Sequence, residues 1–321
     1  MKNKLLKCVG FLSISVLGIL FVSCVVTGSV TSVTSAYVTL TELPNSVNKV
    51  ENNIPEDFVK VDGAIVTSVM YWSANFNDNT VTIPNMYVCD HEVTQTEYKS
   101  VMGSNPSFYR RNPAEGENQE NRPVDCVTWY DAIVYCNRRS YLEGLTPCYE
   151  IKGSNNPDDW GIIPRTNDVN WNKVKCNFLA NGYRLPTVAE WEYVARGGYD
   201  GMRSEQTIYS GSNEIDEVAW YGSNSGGKTH EVKKKAPNAL GIYDMSGNLC
   251  EWCWDSYVST YDDVASVSRI AAGGCWKRYG AFFGFLFDDS DRRCSISYNR
   301  VFYPQFECNG EIGIRVVRTA M

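Results

Sequence analysis

Histidine is nearly absent from this sequence: 321 residues carry only His91 and His230, in unrelated contexts. A metal centre built from several imidazoles is thereby excluded, and each histidine is read as a surface or loop residue. An excess of positive charge is also missing. Thirty Lys and Arg against 37 Asp and Glu leave a net charge of -7, with a pI near 5.1, which excludes nucleic acid as a partner. No apolar run is long enough for a membrane-spanning helix; the mostly apolar Val9 to Val22 is too short. The twelve cysteines lack the spacing of a disulfide-dense mini-domain. Cys250-x-x-Cys253 has neither the second pair nor the nearby histidine that zinc requires. Setting aside Cys8 and Cys24, buried free thiols are expected for most of the rest, with room for one or two bridges. No repeat, low-complexity run or linker interrupts Phe58 to Met321, so one domain and a monomer are expected.

The N-terminus is a targeting device. Lys2, Lys4 and Lys7 form a basic n-region, and the apolar stretch behind them ends in Phe21-Val22-Ser23-Cys24. This resembles a bacterial lipobox, with Phe21 where Leu is usual, and implies cleavage after residue 23 and acylation of Cys24. Lipid chains anchor a protein to a membrane without spanning it. The expected location is the cell envelope, exposed on the outer membrane. Residues 24–56, rich in Ser, Thr, Val and Asn, read as a tether to a folded body at 57–321.

That body opens with short alternating runs at Phe58–Val61, Ala64–Val66, Val81–Ile83 and Met86–Val88. Asn77-Asp78-Asn79 and Pro84-Asn85 separate them as hairpin turns would. Three helices announce themselves by capping signals: Thr94 with Glu97, Thr128 with Asp131 (closed by Arg138-Arg139), and Thr187 with Glu190, stopping at Gly197-Gly198. These boxes satisfy orphan amides and carry no catalytic content. Residues 144–182 and 210–237 are loop-rich.

The segment from Lys277 to Glu311 follows neither a helical nor a strand period. It holds nine aromatics, with five basic and five acidic residues among them. Aromatics mixed with arginine and small residues are what binding surfaces use, because rigid rings give contact area at low entropy cost. The candidate ligand-binding residues are Lys277, Arg278, Tyr279, Phe282, Phe283, Phe285, Phe287, Tyr298, Arg300, Val301, Phe302, Tyr303, Phe306, Cys308 and Asn309. Balanced charge gives no anion-steering patch and favours a protein ligand over a glycan.

Several motifs then fall in a familiar order. Asp90-His91-Glu92-Val93-Thr94-Gln95, Asn105-Pro106-Ser107 and Pro123-Val124-Asp125 lead to Gly182-Tyr183-Arg184-Leu185-Pro186-Thr187 and Glu190-Trp191-Glu192-Tyr193. Asn238 to Asn248, Glu251-Trp252 and the closing Gly313-Ile314-Arg315-Val316 follow. In this the chain resembles the formylglycine-generating enzyme (sulfatase-modifying factor) family from Phe58 to Thr319. The resemblance implies an α+β, C-type-lectin-like domain: a small, mostly antiparallel sheet, flanking helices and abundant loops. It also implies calcium-binding positions at Asp244, Gly247, Leu249 and Glu251, whose oxygens suit a structural calcium; no other cofactor is expected. Active members hold copper on two cysteines after a Gly-Gly-x-aromatic motif. Here those places are Arg278 and Phe283, which cannot ligate copper(I), and Cys275 stands where the family has serine.

The tail frame, Gly273-Gly274-Cys275-Trp276, Pro304 and Ile312 to Val317, is similar to that of retroelement-diversified variable proteins of the treponemal type. That resemblance implies a non-enzymatic surface lipoprotein with a mutable ligand face at about 275–311. The alternatives from other classes are an oxidase on the same fold and an envelope protein with one fixed partner.

Overall fold

The computed structural model describes residues 39–42, 54–67, 80–261, 264–279, 289–297 and 301–320. The signal segment, the acylation site at Cys24 and most of the expected tether lie outside them. One compact unit runs from Ala36 to Met321. The tether nevertheless contributes a strand, β1 (Thr39–Glu42), which pairs antiparallel with β3 (Ala64–Thr67). Its Thr-Leu-Thr-Glu alternation suits an edge position beside an already formed hairpin.

All four expected strands of the opening segment form: β2 (Phe58–Val61), β3, β4 (Thr80–Ile83) and β5 (Met86–Cys89). Their pairing corrects the expected hairpin at Pro84-Asn85. β4 pairs with β3, whereas β5 pairs with β2, so Pro84-Asn85 is a corner passing the chain between two sheets. Pro84 has no N–H to offer a ladder, and the Asn85 side chain accepts instead from the Gly63 amide at 2.7 Å. Gly63 is required for space: a Cβ there would stand 2.2 Å from the Ile83 carbonyl oxygen.

The helices begin where the capping boxes place them. α1 (Gln95–Met102) is capped by Thr94 and Glu97, and α2 (Trp129–Leu142) by Thr128 and Asp131. α2 does not close at Arg138-Arg139. Arg139 bonds Glu143 at 3.0 Å and lies 4.5 Å over the Tyr183 ring, so it packs rather than stops the helix. The small pair β6 (Tyr149–Glu150) and β7 (Lys175–Cys176) and the strand β8 (Tyr183–Arg184) follow. Next come α3 (Val188–Ala195), capped by Thr187 and Glu190, α4 (Gly198–Arg203) and α5 (Ile215–Val218).

A long antiparallel pair, β9 (Cys250–Tyr261) and β10 (Val264–Ala272), then carries the C-terminal segment. After α6 (Ser290–Arg293), β11 (Val301–Tyr303) adds to the outer side of β10, and β12 (Ile312–Gly313) runs parallel to β9. β13 (Val317–Thr319) joins the other four-stranded sheet between β5 and β8. The chain therefore ends by stitching two sheets together.

Arg315 occupies the crossing between them. Its guanidinium reaches Glu251 at 2.7 Å and the Cys89 carbonyl at 2.8 Å, both buried, and the Tyr243 carbonyl at 2.7 Å, partly buried. One apolar cluster packs α2 against Trp252, Ile312 and Ile314; a second packs α3 against Val61, Ile83 and Val317. The architecture is α+β, as expected.

Replacing Gly63 with alanine forces the β4–β5 corner apart. The Gly63→Ala variant is expected to lose about 1–3 kcal/mol, read by denaturant unfolding; unchanged stability would show that the corner relaxes freely.

Candidate ligand-binding face

Two glycines turn the chain out of β10. Gly273 and Gly274 have φ of 103° and 74°, and a Cβ on Gly274 would meet the Arg293 carbonyl oxygen at 2.7 Å. Trp276 is then fixed on several sides. Its amide donates to the Asn248 carbonyl at 2.9 Å, its indole to the Gly310 carbonyl at 2.6 Å, and its own carbonyl accepts from Ser225 at 2.6 Å. Tyr109 meets its ring edge-on at 5.0 Å, and Phe108 meets Tyr109 likewise at 5.1 Å. Phe108 itself is 73% exposed.

Glu311 ties the inner part of the segment together. Its carboxylate pairs with Lys277 and accepts from the Tyr279 hydroxyl at 2.8 Å and the Tyr303 hydroxyl at 3.5 Å. Tyr279 also contacts the Cys275 thiol at 3.3 Å, and Arg293 stacks on its ring at 3.9 Å. Tyr303 stands edge-on to Trp252 at 6.0 Å. Lys277, Tyr279, Val301, Tyr303 and Phe306 are half-buried, and all but the lysine pack against the main core cluster. Asn309 spends its side chain on a turn, accepting from the Glu311 amide at 2.9 Å.

Arg278, Phe302 and Cys308 are the expected ligand residues that stand exposed. Phe302, 45% exposed, packs at 4.6 Å against Tyr257, itself 49% exposed, with the rings tilted by 40°. Tyr257 belongs to β9 and was absent from the sequence reading, as was Phe108. Phe108 follows directly on the Asn105-Pro106-Ser107 motif, which gave a signal; Tyr257 gave none. Phe282, Phe283, Phe285, Phe287, Tyr298 and Arg300 lie outside the described residues.

The calcium positions do not form a cation cage. Glu251 is committed: its oxygens accept from Arg315 at 2.7–3.0 Å and from the Trp191 indole at 2.7 Å. A cation beside it would face a buried guanidinium. Asp244 does retain one buried oxygen without a partner, its other oxygen accepting from the Lys233 amide at 2.8 Å. With Glu251 taken, that oxygen and the backbone carbonyls of Gly247 and Leu249 fall short of the six to eight oxygen ligands calcium takes.

Asp244 also shares its surroundings with Glu92, which accepts from Asn248 at 2.7 Å and from the Leu249 amide at 2.9 Å. Burial, with Asp244 and Glu251 nearby, holds the Glu92 carboxyl well above its usual range. Burial likewise lifts Asp244 to about 6, against the Lys233 amide bond and Arg315.

Both histidines lie in loops, one of the two settings expected for them, but they are buried rather than at the surface. His230 stacks on Trp220 at 3.8 Å and bonds Glu117 and the Ser225 carbonyl, each at 2.7 Å. His91 bonds Asp90 at 2.6 Å and Glu97 at 3.3 Å. Burial opposes its charge, yet Cys89, Asp90 and Glu97 push it up to about 12. Cys89, Asp90 and His91 bring three potential metal-ligand atoms within 4.8 Å of one another. Asp90 is already paired with Lys233 at 2.8 Å, so the cluster is a closed ion-pair network.

Comparison with known proteins fits this geometry. The sulfatase-modifying factor enzyme 1-like domain model matches residues 46–320. The chaperone protein LppX of Paenibacillus barcinonensis is 39% identical over 289 residues, covering 83% of this chain and 90% of that protein. The formylglycine-generating enzyme of Streptomyces coelicolor is 36% identical over 107 residues, 29% of this chain and 32% of the enzyme. The solved structure of Treponema denticola variable protein 1 superposes with a TM-score of 0.64 at 36% identity, covering 75% of this chain and 87% of that one.

The buried carboxylates make stability depend on pH with a definite sign. Asp244 titrates near 6 in the folded chain against 3.8 otherwise, so the native state holds a proton that the unfolded chain has released. Its contribution falls as pH rises from about 4 to about 6, by about 3 kcal/mol in total. Denaturant unfolding of the wild type and Asp244→Asn across that window should show the stability difference shifting in the variant's favour; a flat difference would contradict the assignment.

Proposed function

The chain belongs to the sulfatase-modifying factor enzyme 1-like domain family, and we propose that this member is a non-enzymatic, lipid-anchored binding protein of the cell envelope. Its ligand face would be built on the segment between Cys275 and Glu311, extended by Tyr257 and Phe108. The observation that carries the reading is the division of labour within that segment. Trp276, Tyr279, Tyr303 and Glu311 are bonded inward, while Arg278 and Phe302 are exposed at the positions they fix. A backbone held from below lets outward side chains vary without refolding. The likeness to a treponemal variable protein supports diversification of those positions.

Oxidase chemistry has no support in the residues. The two places that would hold copper through thiolates are Arg278 and Phe283. A rigid aromatic surface with charges of both signs suits a protein ligand, to which Phe302 and Tyr257 would supply the anchoring contact.

A second reading draws on the likeness to a protein named a chaperone. On it, the same face would hold one fixed client rather than a changing set of ligands.

Sequencing the 3′ end of the gene across isolates separates the two. Under the first reading, substitutions cluster between Cys275 and Glu311, at Arg278 and Phe302 among others, while Trp276 and Arg315 stay fixed. A tail no more variable than the rest of the chain would overturn diversification and leave the fixed-client reading.

A further inference from the structure

The ten cysteines of the folded body are free thiols in this structure, but two of them are arranged as a bonding pair. Cys126 lies just before the cap of α2, and Cys308 lies in the loop between β11 and β12. The Cys308 thiol approaches the Cys126 carbonyl at 3.0 Å, and the Cys126 amide donates to the Asn309 carbonyl at 3.1 Å. The Cys308 sulfur thus lies directly against Cys126, and the two thiols shift each other's titration in opposite directions. Cys126 adopts a φ of 58°, a conformation rare for a residue with a side chain, so its backbone is held in this presentation by its surroundings. Neighbouring Asp125 fixes the approach further, accepting from the Phe108 amide at 2.6 Å.

We propose that Cys126 and Cys308 are the sites of a disulfide bond that fastens the outer loop of the C-terminal segment to the approach of α2. The two reactive roles follow from exposure. Cys308 is exposed and Cys126 only half-buried, so a dissolved oxidant reaches Cys308 first. The adjacent Cys126 thiol draws Cys308 down to about 7, against partial burial and Asp131 and with help from Arg165. Cys126, beside Cys308 and partly buried, is held well above the usual thiol range.

The exchange balances with a small-molecule disulfide such as oxidised glutathione. The Cys308 thiolate attacks one sulfur of the oxidant and releases a glutathione thiolate. Cys126 then loses its proton to solvent and attacks the Cys308 sulfur, releasing the second glutathione. The two protein thiols lose two electrons, and the oxidant gains them. Export through the signal segment would place the chain where such disulfides persist.

An internal comparison sharpens the argument. Cys250 and Cys275 also perturb each other's titration as neighbours do, but both are fully buried, with Tyr279 against Cys275. Proximity without access should leave that pair reduced under the same treatment.

The test uses the folded protein, treated with oxidised glutathione, blocked with iodoacetamide and mapped by mass spectrometry. The expected product is a peptide pair linked through Cys126 and Cys308, with Cys250 and Cys275 alkylated only after unfolding. The bond closes a sequence separation of 182 residues. Reduction should therefore lower the thermal midpoint by about 5–10 °C. Cys308→Ser should lack both the cross-link and the reduction-sensitive midpoint. Alkylation of both Cys126 and Cys308 after oxidation would overturn the proposal. So would glutathione remaining on Cys308 without transfer, or cross-links to other cysteines in its place.

Discussion

The buried pair of Arg315 and Glu251 is the contact on which the C-terminal half depends. A guanidinium and a carboxylate both shut away from water cost a large desolvation energy, which only close geometry and additional hydrogen bonds offset. Here the offset is nearly complete. Arg315 reaches both Glu251 oxygens and the carbonyls of Cys89 and Tyr243, while Trp191 donates to the same carboxylate. Those partners belong to β5, β9, α3 and the loop before β9, so one ion pair registers four parts of the fold. Arg315 also sits between β12 and β13, which fixes where the chain leaves one sheet and enters the other.

The surface inherits its rigidity from this crossing. β12 lies against β9 two residues before Arg315, and immediately before β12 stands Glu311, the carboxylate that gathers Lys277, Tyr279 and Tyr303. The indole of Trp276 closes the same ring of contacts through the Gly310 carbonyl. An irregular segment is thus held by side-chain bonds where no ladder exists. Buried polar groups must be satisfied somehow, and in loops side chains take over the task.

Much of this was legible in the sequence, and the parts that were not share a physical cause. Capping boxes at Thr94, Thr128 and Thr187 were readable because their signal is local, four residues long and chemically specific. The pair β9–β10 escaped, because Cys250, Glu251, Trp252 and Cys253 are all buried and leave no alternation to detect. The aromatics of the tail read as one exposed set. Tyr279 and Tyr303 turn out half-buried, with Glu311, 32 and eight residues away, holding their hydroxyls. Tyr257 pairs with Phe302 through strand register, and His230 is buried by Trp220; neither contact is written in neighbouring sequence. The calcium positions illustrate the same limit: the residue types were present, but Arg315 had already taken Glu251.

The central claim is that outward positions are free to vary because the frame beneath them does not depend on them. Thermal unfolding of variants randomised together at Arg278 and Phe302 tests it directly, with Arg315→Met alongside. The account predicts that most randomised variants keep the parental midpoint, since surface substitutions usually stay within about 0.5 kcal/mol. Arg315→Met, by leaving Glu251 buried and unpaired, should cost about 3–5 kcal/mol. Broad unfolding among the randomised variants, or a stable Arg315→Met, would contradict the separation of frame and face.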